Sequence, residues 1–106
     1  MQETLQRVRE LVARGEVRIS EHGYDELAAD GLSVGEVVAG LDGGELVEDY
    51  PDFPKGACVL VLEHDATNRP VHAVWGIPAG AVSPAVLVTA YRPDPKRWTD
   101  DFRSRK

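Results

Sequence analysis

The side chains of this sequence best suited to chemistry are histidines, arginines and one tyrosine that lie close to predicted element ends. His22 falls in the first turn of a predicted helix, Arg69 and His72 open a predicted strand, and Tyr91 and Arg92 close another. An imidazole can exchange a proton near neutral pH, and a guanidinium binds phosphate through two parallel N–H groups. These residue types fit acid–base chemistry on a phosphate-bearing substrate.

Each of these residues also has a purely structural interpretation. His22 can fix its helix start, where the positive end of the helix dipole favours a neutral ring. His72 can be a hydrogen-bonded core residue, the ring of Tyr91 can fill the core, and Arg69 can pair with an acid such as Glu63. On a regular strand Arg69 and His72 point to opposite faces. They share a site only if the strand begins after Arg69 or a bulge re-aims it.

Several familiar kinds of site are excluded. The sequence has no phosphate-binding glycine loop, no paired-histidine metalloprotease helix and no serine between elbow glycines. Three histidines and the single cysteine, Cys58, lack metal-ligand spacing. We therefore expect neither a metal nor a cofactor.

The length and composition predict one globular domain over residues 1–106. The chain has 106 residues, of which 42% are hydrophobic and 28% charged. One cysteine cannot form an internal disulfide, which favours a reducing compartment. The longest apolar run, residues 57–62, is far shorter than the roughly 20 residues of a membrane span, and no secretory leader is visible. We expect a soluble, cytoplasmic protein.

The charges are unevenly distributed along the chain. The formal net charge is −6, with +1 in residues 1–20, −11 in residues 21–65 and +4 in residues 66–106. If the basic carboxy-terminal third folds against the first helix, one face attracts phosphates while the acidic middle faces solvent or a basic partner. The alternative is a mixed, solvated surface.

Hydrophobic spacing predicts the helices in the first 44 residues. Apolar residues at helical spacing predict a helix over about residues 2–14 that ends at Gly15. Ser20 is a candidate N-cap for a second helix through about Ala29. Ser33, followed three residues later by Glu36, forms a capping box for a third helix stopped by Gly43 and Gly44.

Strand patterns follow from Glu45 onward. Four strands are predicted over residues 45–50, 57–64, 71–77 and 86–91, each bounded by turn-forming residues. Residues 17–19 are either a short edge strand or an extended link to the second helix. Helices followed by hairpin-linked strands predict an α+β fold, with two to three helices on one face of a mainly antiparallel four-stranded sheet.

Six short motifs give the sequence a family resemblance. They are Ile19-Ser20-Glu21-His22, Gly31-Leu32-Ser33, Gly44 before Tyr50-Pro51, Gly56 before an apolar strand, Arg69-Pro70-Val71-His72, and the block from Thr89 through Tyr91, Arg92 and Lys96 to Trp98. Over about residues 15–98 the chain resembles the bacterial family known as domain of unknown function 4258. Residues 99–106 form a tail outside this core.

The resemblance implies a fold and a function. Such proteins look like relatives of the RelE-like and MqsR-like toxins, which cleave messenger RNA without a metal and are often encoded beside an antitoxin, sometimes a zinc-finger protein. A ribonuclease needs a base for the ribose 2′-hydroxyl, an acid for the leaving 5′-oxygen and a cation for the phosphate. We expect His22 as base and His72 as acid, or the reverse.

The remaining site residues expected from the resemblance serve the phosphate. They are Arg69, Arg92 and Lys96, with Tyr91 orienting the group. Members of the family commonly carry arginines in the second helix, where this chain has Glu26 and Asp30. The alternative is therefore a degenerate homologue or non-catalytic interaction module that binds a basic protein partner.

Overall fold

The computed structural model describes residues 3–106, which form three α-helices and five β-strands. The elements in chain order are α1 (Glu3–Ala13), β1 (Val17–Ile19), α2 (Glu21–Ala29), α3 (Val34–Gly40), β2 (Glu45–Tyr50), β3 (Cys58–His64), β4 (Pro70–Gly76) and β5 (Ala85–Tyr91). The α+β class predicted from the sequence is confirmed. The predicted start of the first helix, residue 2, lies outside the described residues.

The predicted caps begin the second and third helices. The hydroxyl oxygen of Ser20 accepts the backbone N–H of Gly23 at 2.8 Å, and that of Ser33 accepts the N–H of Glu36 at 3.1 Å. Each cap satisfies one of the N–H groups that a helix start leaves without a partner. Within residues 3–106, none of the helices has the length and apolar character needed to cross a membrane.

The sheet has five strands and is mixed, which corrects the predicted four-stranded antiparallel sheet. The strand order is β1-β5-β4-β3-β2, with β1 parallel to β5 and every other pair antiparallel. Val17 pairs with Ala85 and Ile19 with Leu87. The three residues of β1 are too few to show the alternation of hydrophobic and polar side chains that marks a strand, and its partner β5 lies far along the chain. The sequence therefore left this strand undecided.

One face of the sheet carries the helices and the hydrophobic core. Alternate residues of each strand point to that face, including Val61 on β3, Trp75 on β4 and Leu87 on β5, and they contact Leu5 and Val8 of α1 in one buried cluster. Their neighbours point to the opposite face, which no helix covers. This second face is called the open face below.

Two β-bulges change which side chains reach the open face. In β2, Leu46 pairs with Val61 but Glu48 with Leu60, so Val47 is an extra residue. In β5, the residues paired with Trp75 and Val74 are Leu87 and Thr89, so Val88 is extra. An extra residue reverses the alternation beyond it. The bulges therefore turn Glu48, Tyr50 and Tyr91 toward the open face.

Residues 93–106, here called the strap, fold back from the end of β5 across part of the open face. Trp98 is buried and its ring contacts His72 on β4. Arg103 and Arg105 then reach the edge strand β2, where they pair with Glu45 at 2.7 Å and Glu48 at 2.8 Å. The strap thus joins the end of the last strand to the far edge of the sheet.

Candidate binding site on the open face

A groove of about 510 Å³ lies on the open face. Its floor is apolar and includes Leu60, Val74 and Val86, which alternate with the core residues of the same strands. Tyr50 and Phe53 stand at its side and are 44% and 49% exposed. Exposed aromatic side chains beside an apolar floor form a surface on which flat rings can stack.

Charged groups surround this groove. Arg18, Lys55 and Arg105 contribute cations, and Glu48 contributes a carboxylate. Arg105 holds both oxygens of Glu48, at 2.8 Å through Nε and 3.0 Å through a terminal nitrogen. The Arg105 guanidinium lowers the pKa of Glu48, whose carboxylate also accepts the Tyr50 hydroxyl at 2.7 Å. Glu48 is therefore ionised at neutral pH.

A second cleft of about 320 Å³ shares Tyr91 and Arg105 with the groove. Arg92, Arg97 and Trp98 complete most of its lining. The Arg97 side chain is 84% exposed, and its nearest acidic contact, to Asp94, is as long as 4.0 Å. Arg105 lies 4.6 Å from the centre of the Trp98 ring. The cleft therefore presents guanidinium groups at one end of an apolar groove.

The groove and the cleft together concentrate positive charge in an acidic chain. Their linings contain five of the 12 basic residues, Arg18, Lys55, Arg92, Arg97 and Arg105. The same linings contain two of the 18 acidic residues, Glu48 and Asp94. If the charged residues were spread evenly, these linings would hold three acidic residues for every two basic ones. The sheet and the strap therefore gather basic side chains on this face. The local charge of the open face favours an anionic ligand.

His72 lies beside this cleft but is fully buried. Its Nε2–H group donates to the carbonyl of Phe102 at 2.9 Å, and its ring meets the rings of Tyr91 and Trp98 edge-on, at 5.5 and 4.4 Å between centres. Its Nδ1 atom has no hydrogen-bond partner within residues 3–106. Burial lowers the pKa of His72, so the ring is neutral at physiological pH.

Arg92, rather than Arg69, pairs with an acid at this end of the sheet. The Arg92 guanidinium lies 2.6 Å from Asp65 and donates to the carbonyl of Pro70 at 3.2 Å. Asp65 also accepts the backbone N–H groups of Arg69 and Thr67, and the Arg69 N–H is the main cause that lowers its pKa. β4 begins directly after Arg69, and the pairing at Pro70 is regular. The Arg69 side chain is exposed in the turn.

Four of the six predicted site residues lie outside both linings, namely His22, Arg69, His72 and Lys96. The His22 side chain is 67% exposed on α2, 3.5 Å from Glu26. Lys96 is exposed in a turn of the strap, where its N–H donates to Asp94 at 2.9 Å. Of the six predicted site residues, the fold brings His72, Tyr91 and Arg92 together, with Arg69 in the adjoining turn.

Several residues of the open face were missed by sequence reasoning. Glu48 and Tyr50 reach it because of the β2 bulge, and Arg105 reaches it because the strap folds back. The alternation of acidic and apolar residues in Glu45–Tyr50 indicated that this strand has a solvent-facing side, but it did not predict which residues lie on it. In the described part of the chain, no three His, Cys, Asp or Glu side chains converge as metal ligands would.

A buried carboxyl group on the helix-covered face was also missed. Glu63 is 1% exposed, and one of its oxygens accepts the Trp75 indole N–H at 3.1 Å. The other oxygen, Oε1, has no partner among residues 3–106. Burial raises the pKa of Glu63 to about 8. Arg69 had two interpretations from the sequence, a phosphate ligand or a partner of an acid such as Glu63, and the pair with Glu63 does not form.

Comparison with known proteins places the chain in a family. The family model described as domain of unknown function (DUF4258) matches residues 19–92, which run from the last residue of β1 through the central strands to Arg92. The chain belongs to this family, as its motifs predicted. No curated protein and no solved structure matches it.

Proposed function

We propose that the protein binds single-stranded RNA across the open face and cleaves it without a metal, as the RelE-like and MqsR-like toxins do. The observation that carries the proposal is the charge segregation on the open face, where five cations and exposed aromatic rings surround an apolar floor in a chain of net charge −6. Proteins that bind single strands combine basic grooves with aromatic rings for base stacking. The family resemblance of the sequence motifs also supports the proposal.

The two pockets divide the parts of a nucleotide between them. Bases stack on Tyr50 and Phe53 over the apolar floor, since every base has a π-face. The phosphates lie toward the cleft, where Arg97 and Arg105 offer N–H donors. Tyr91 lines both pockets, and burial raises the pKa of its hydroxyl, which therefore remains a donor at neutral pH.

Cleavage in this proposal is an internal phosphoryl transfer. A base takes the proton of the ribose 2′-hydroxyl, whose oxygen attacks the neighbouring phosphorus. The bond from phosphorus to the 5′-oxygen breaks, and an acid protonates that oxygen. The products are a 2′,3′-cyclic phosphate and a 5′-hydroxyl, so the atoms and protons balance without a cofactor.

Glu48 and His72 are the groups we assign to these proton transfers. Glu48 lines the groove and is ionised, so it can accept the 2′-hydroxyl proton. We assign His72 as the acid, the role that the family resemblance implies, and it lies beside Tyr91 at the cleft. Its buried ring is neutral in the free protein, so it first takes up the proton that it donates, once the RNA phosphate lies beside it and favours the charged ring. His22 was expected as the base, but it is exposed on α2 beside Glu26, whereas the His72 ring meets Tyr91 and Trp98, which line the cleft. A toxin of this kind acts beside a neutralising antitoxin, which for this family can be a zinc-finger protein.

RNA binding is tested by fluorescence anisotropy with a labelled, unstructured RNA at several salt concentrations. Arg97→Gln should weaken binding and reduce the salt slope by about 1, because one phosphate contact is lost. Arg14→Gln is the matched control, since Arg14 is exposed outside both linings and pairs with Glu16. Equal binding by the two variants would contradict the assignment of the cleft.

Cleavage is tested with a long RNA in the presence of a chelator. The wild-type chain should yield fragments that end in a cyclic phosphate, and His72→Gln should slow the reaction by about 10²–10⁴-fold. His22→Gln should cleave like the wild type. If RNA decays equally with wild type and His72→Gln, the catalytic assignment is wrong.

A second function is favoured by the surface of α2. Glu21 and Asp25 are exposed on this helix, and Glu26 and Asp30 stand where the family resemblance leads us to expect arginines. This surface fits a non-catalytic module that binds a basic protein. Pull-downs at low salt should then return a basic partner that is lost from a Glu21→Gln, Asp25→Asn double variant, and RNA should be unchanged in the cleavage assay.

A further inference from the structure

The strap contacts both groups to which the proposed function gives proton transfer. Phe102 accepts the Nε2–H of His72 through its carbonyl, and Arg105 holds both oxygens of Glu48. Trp98 covers the remaining side of the imidazole with its ring. His72 is consequently 0% exposed, although it lies on the face of the sheet that carries the groove.

The contacts that hold the far end of the strap lie at the surface. Arg103 pairs with Glu45 at 2.7 Å, and both side chains are about half exposed, at 50% and 51%. Arg105 is 63% exposed while it pairs with Glu48. Ion pairs in contact with water are weak and are screened by salt. Phe102 has φ of 60°, a left-handed conformation that a bulky side chain rarely adopts. These features favour a segment that can detach locally.

We propose that residues 99–106 are an autoinhibitory cover that must leave the open face before RNA reaches Glu48 and His72. This inference rests on the proposed function and adds its regulation. The cover places a backbone carbonyl on His72 and a cation on Glu48, where the substrate would place its leaving oxygen and its 2′-hydroxyl. Added RNA competes with these contacts, because its phosphates attract the same arginine.

The cover can be followed through the reactivity of the three histidines. Diethyl pyrocarbonate acylates exposed neutral imidazoles, and mass spectrometry locates the modified residue. His22 and His64 are exposed and serve as internal references, whereas His72 is buried. Arg103→Gln removes the pair with Glu45 without altering the groove, and Arg14→Gln removes a comparable exposed pair elsewhere.

The inference predicts that Arg103→Gln raises the modification rate of His72 by roughly fivefold, as loss of one exposed pair allows. A chain ending at Trp98 should show a much larger increase, and high salt should raise the rate in the wild type. His22 and His64 should react as before in every variant. RNA binding should tighten in Arg103→Gln, because Arg103 lies outside both linings. The shortened chain is tested by His72 reactivity alone, because it also lacks Arg105, which lines the cleft.

Unchanged His72 reactivity in both variants would overturn the proposed cover, as would weaker RNA binding by Arg103→Gln if its His72 reacts readily. If the shortened chain loses its cooperative urea transition, it is not folded, and the His72 reactivity of Arg103→Gln alone tests the proposal. Failure of the proposed function gives a different result, because no variant would then bind or cleave RNA although His72 still becomes reactive.

Discussion

Replacement of the buried Glu63 by Gln should remove most of the alkaline loss of stability of this fold. The pKa of Glu63 is raised to about 8 by burial, from an ordinary value of 4.5. Between these values the folded chain keeps a proton that the unfolded chain has released. Stability therefore falls as the pH rises through this window, and the loss is complete above the folded pKa.

The size of the effect follows from the same two values. Each pKa unit corresponds to 1.36 kcal/mol, so the full difference from 4.5 to about 8 is at most about 5 kcal/mol. From about pH 6.5 to pH 8.5 the wild type should lose about 2 kcal/mol of unfolding free energy. The His72 pKa is lowered, so its linkage acts on the acid side and does not contribute here.

Urea denaturation followed by tryptophan fluorescence measures this difference, because Trp75 and Trp98 are both buried. Glu63→Gln retains an acceptor for the Trp75 indole and cannot ionise, so its stability should be nearly constant over this range. Glu10→Gln changes an exposed acid and serves as the control. Parallel pH curves for wild type and Glu63→Gln would refute the reasoning about the buried carboxyl.

Two further predictions concern the backbone around the open face. Gly56→Ala should destabilise the fold by at least about 3 kcal/mol, because the added Cβ would lie 2.0 Å from the Ile77 carbonyl oxygen. The φ of Gly56 is also +129°, a backbone conformation that alanine rarely adopts. Gly43→Ala, with open space around it, should change stability little, and equal urea midpoints for the two variants would contradict this account. Ser20→Ala should cost about 2 kcal/mol in the same assay, because it removes the α2 cap and a 2.7 Å bond to the Val88 carbonyl. A loss below about 0.5 kcal/mol would show that the serine is dispensable.

The elements were largely predictable because their signals are local. Ser20 and Ser33 cap the helices that their positions predicted, and the strand predicted at Glu45–Tyr50 has those bounds in the structure. Hydrophobic periodicity and turn residues act over a few positions, so a single sequence displays them.

The arrangement of the open face was not predictable in the same way. The extra residues Val47 and Val88 resemble ordinary strand residues, yet they decide which face receives Glu48 and Tyr91. The strap contacts join residues 57 and 58 positions apart, for example Arg105 with Glu48. No local pattern encodes either feature. The sequence therefore offered His72 as an acid or as a hydrogen-bonded core residue, and it is buried and hydrogen-bonded, but the strap that covers it was not predictable.

The position of the last strand has a consequence for the order in which the chain can fold. β5 lies between β1 and β4, and Ser20 reaches Val88 across 68 positions of sequence. During synthesis the β3–β4 hairpin can form early, because a short turn closes it. β1 has to wait until residues 85–91 have emerged. A nascent chain therefore exposes the apolar edge of β4 until residues 85–91 have left the ribosome, which makes this interval the time when aggregation or chaperone capture is expected.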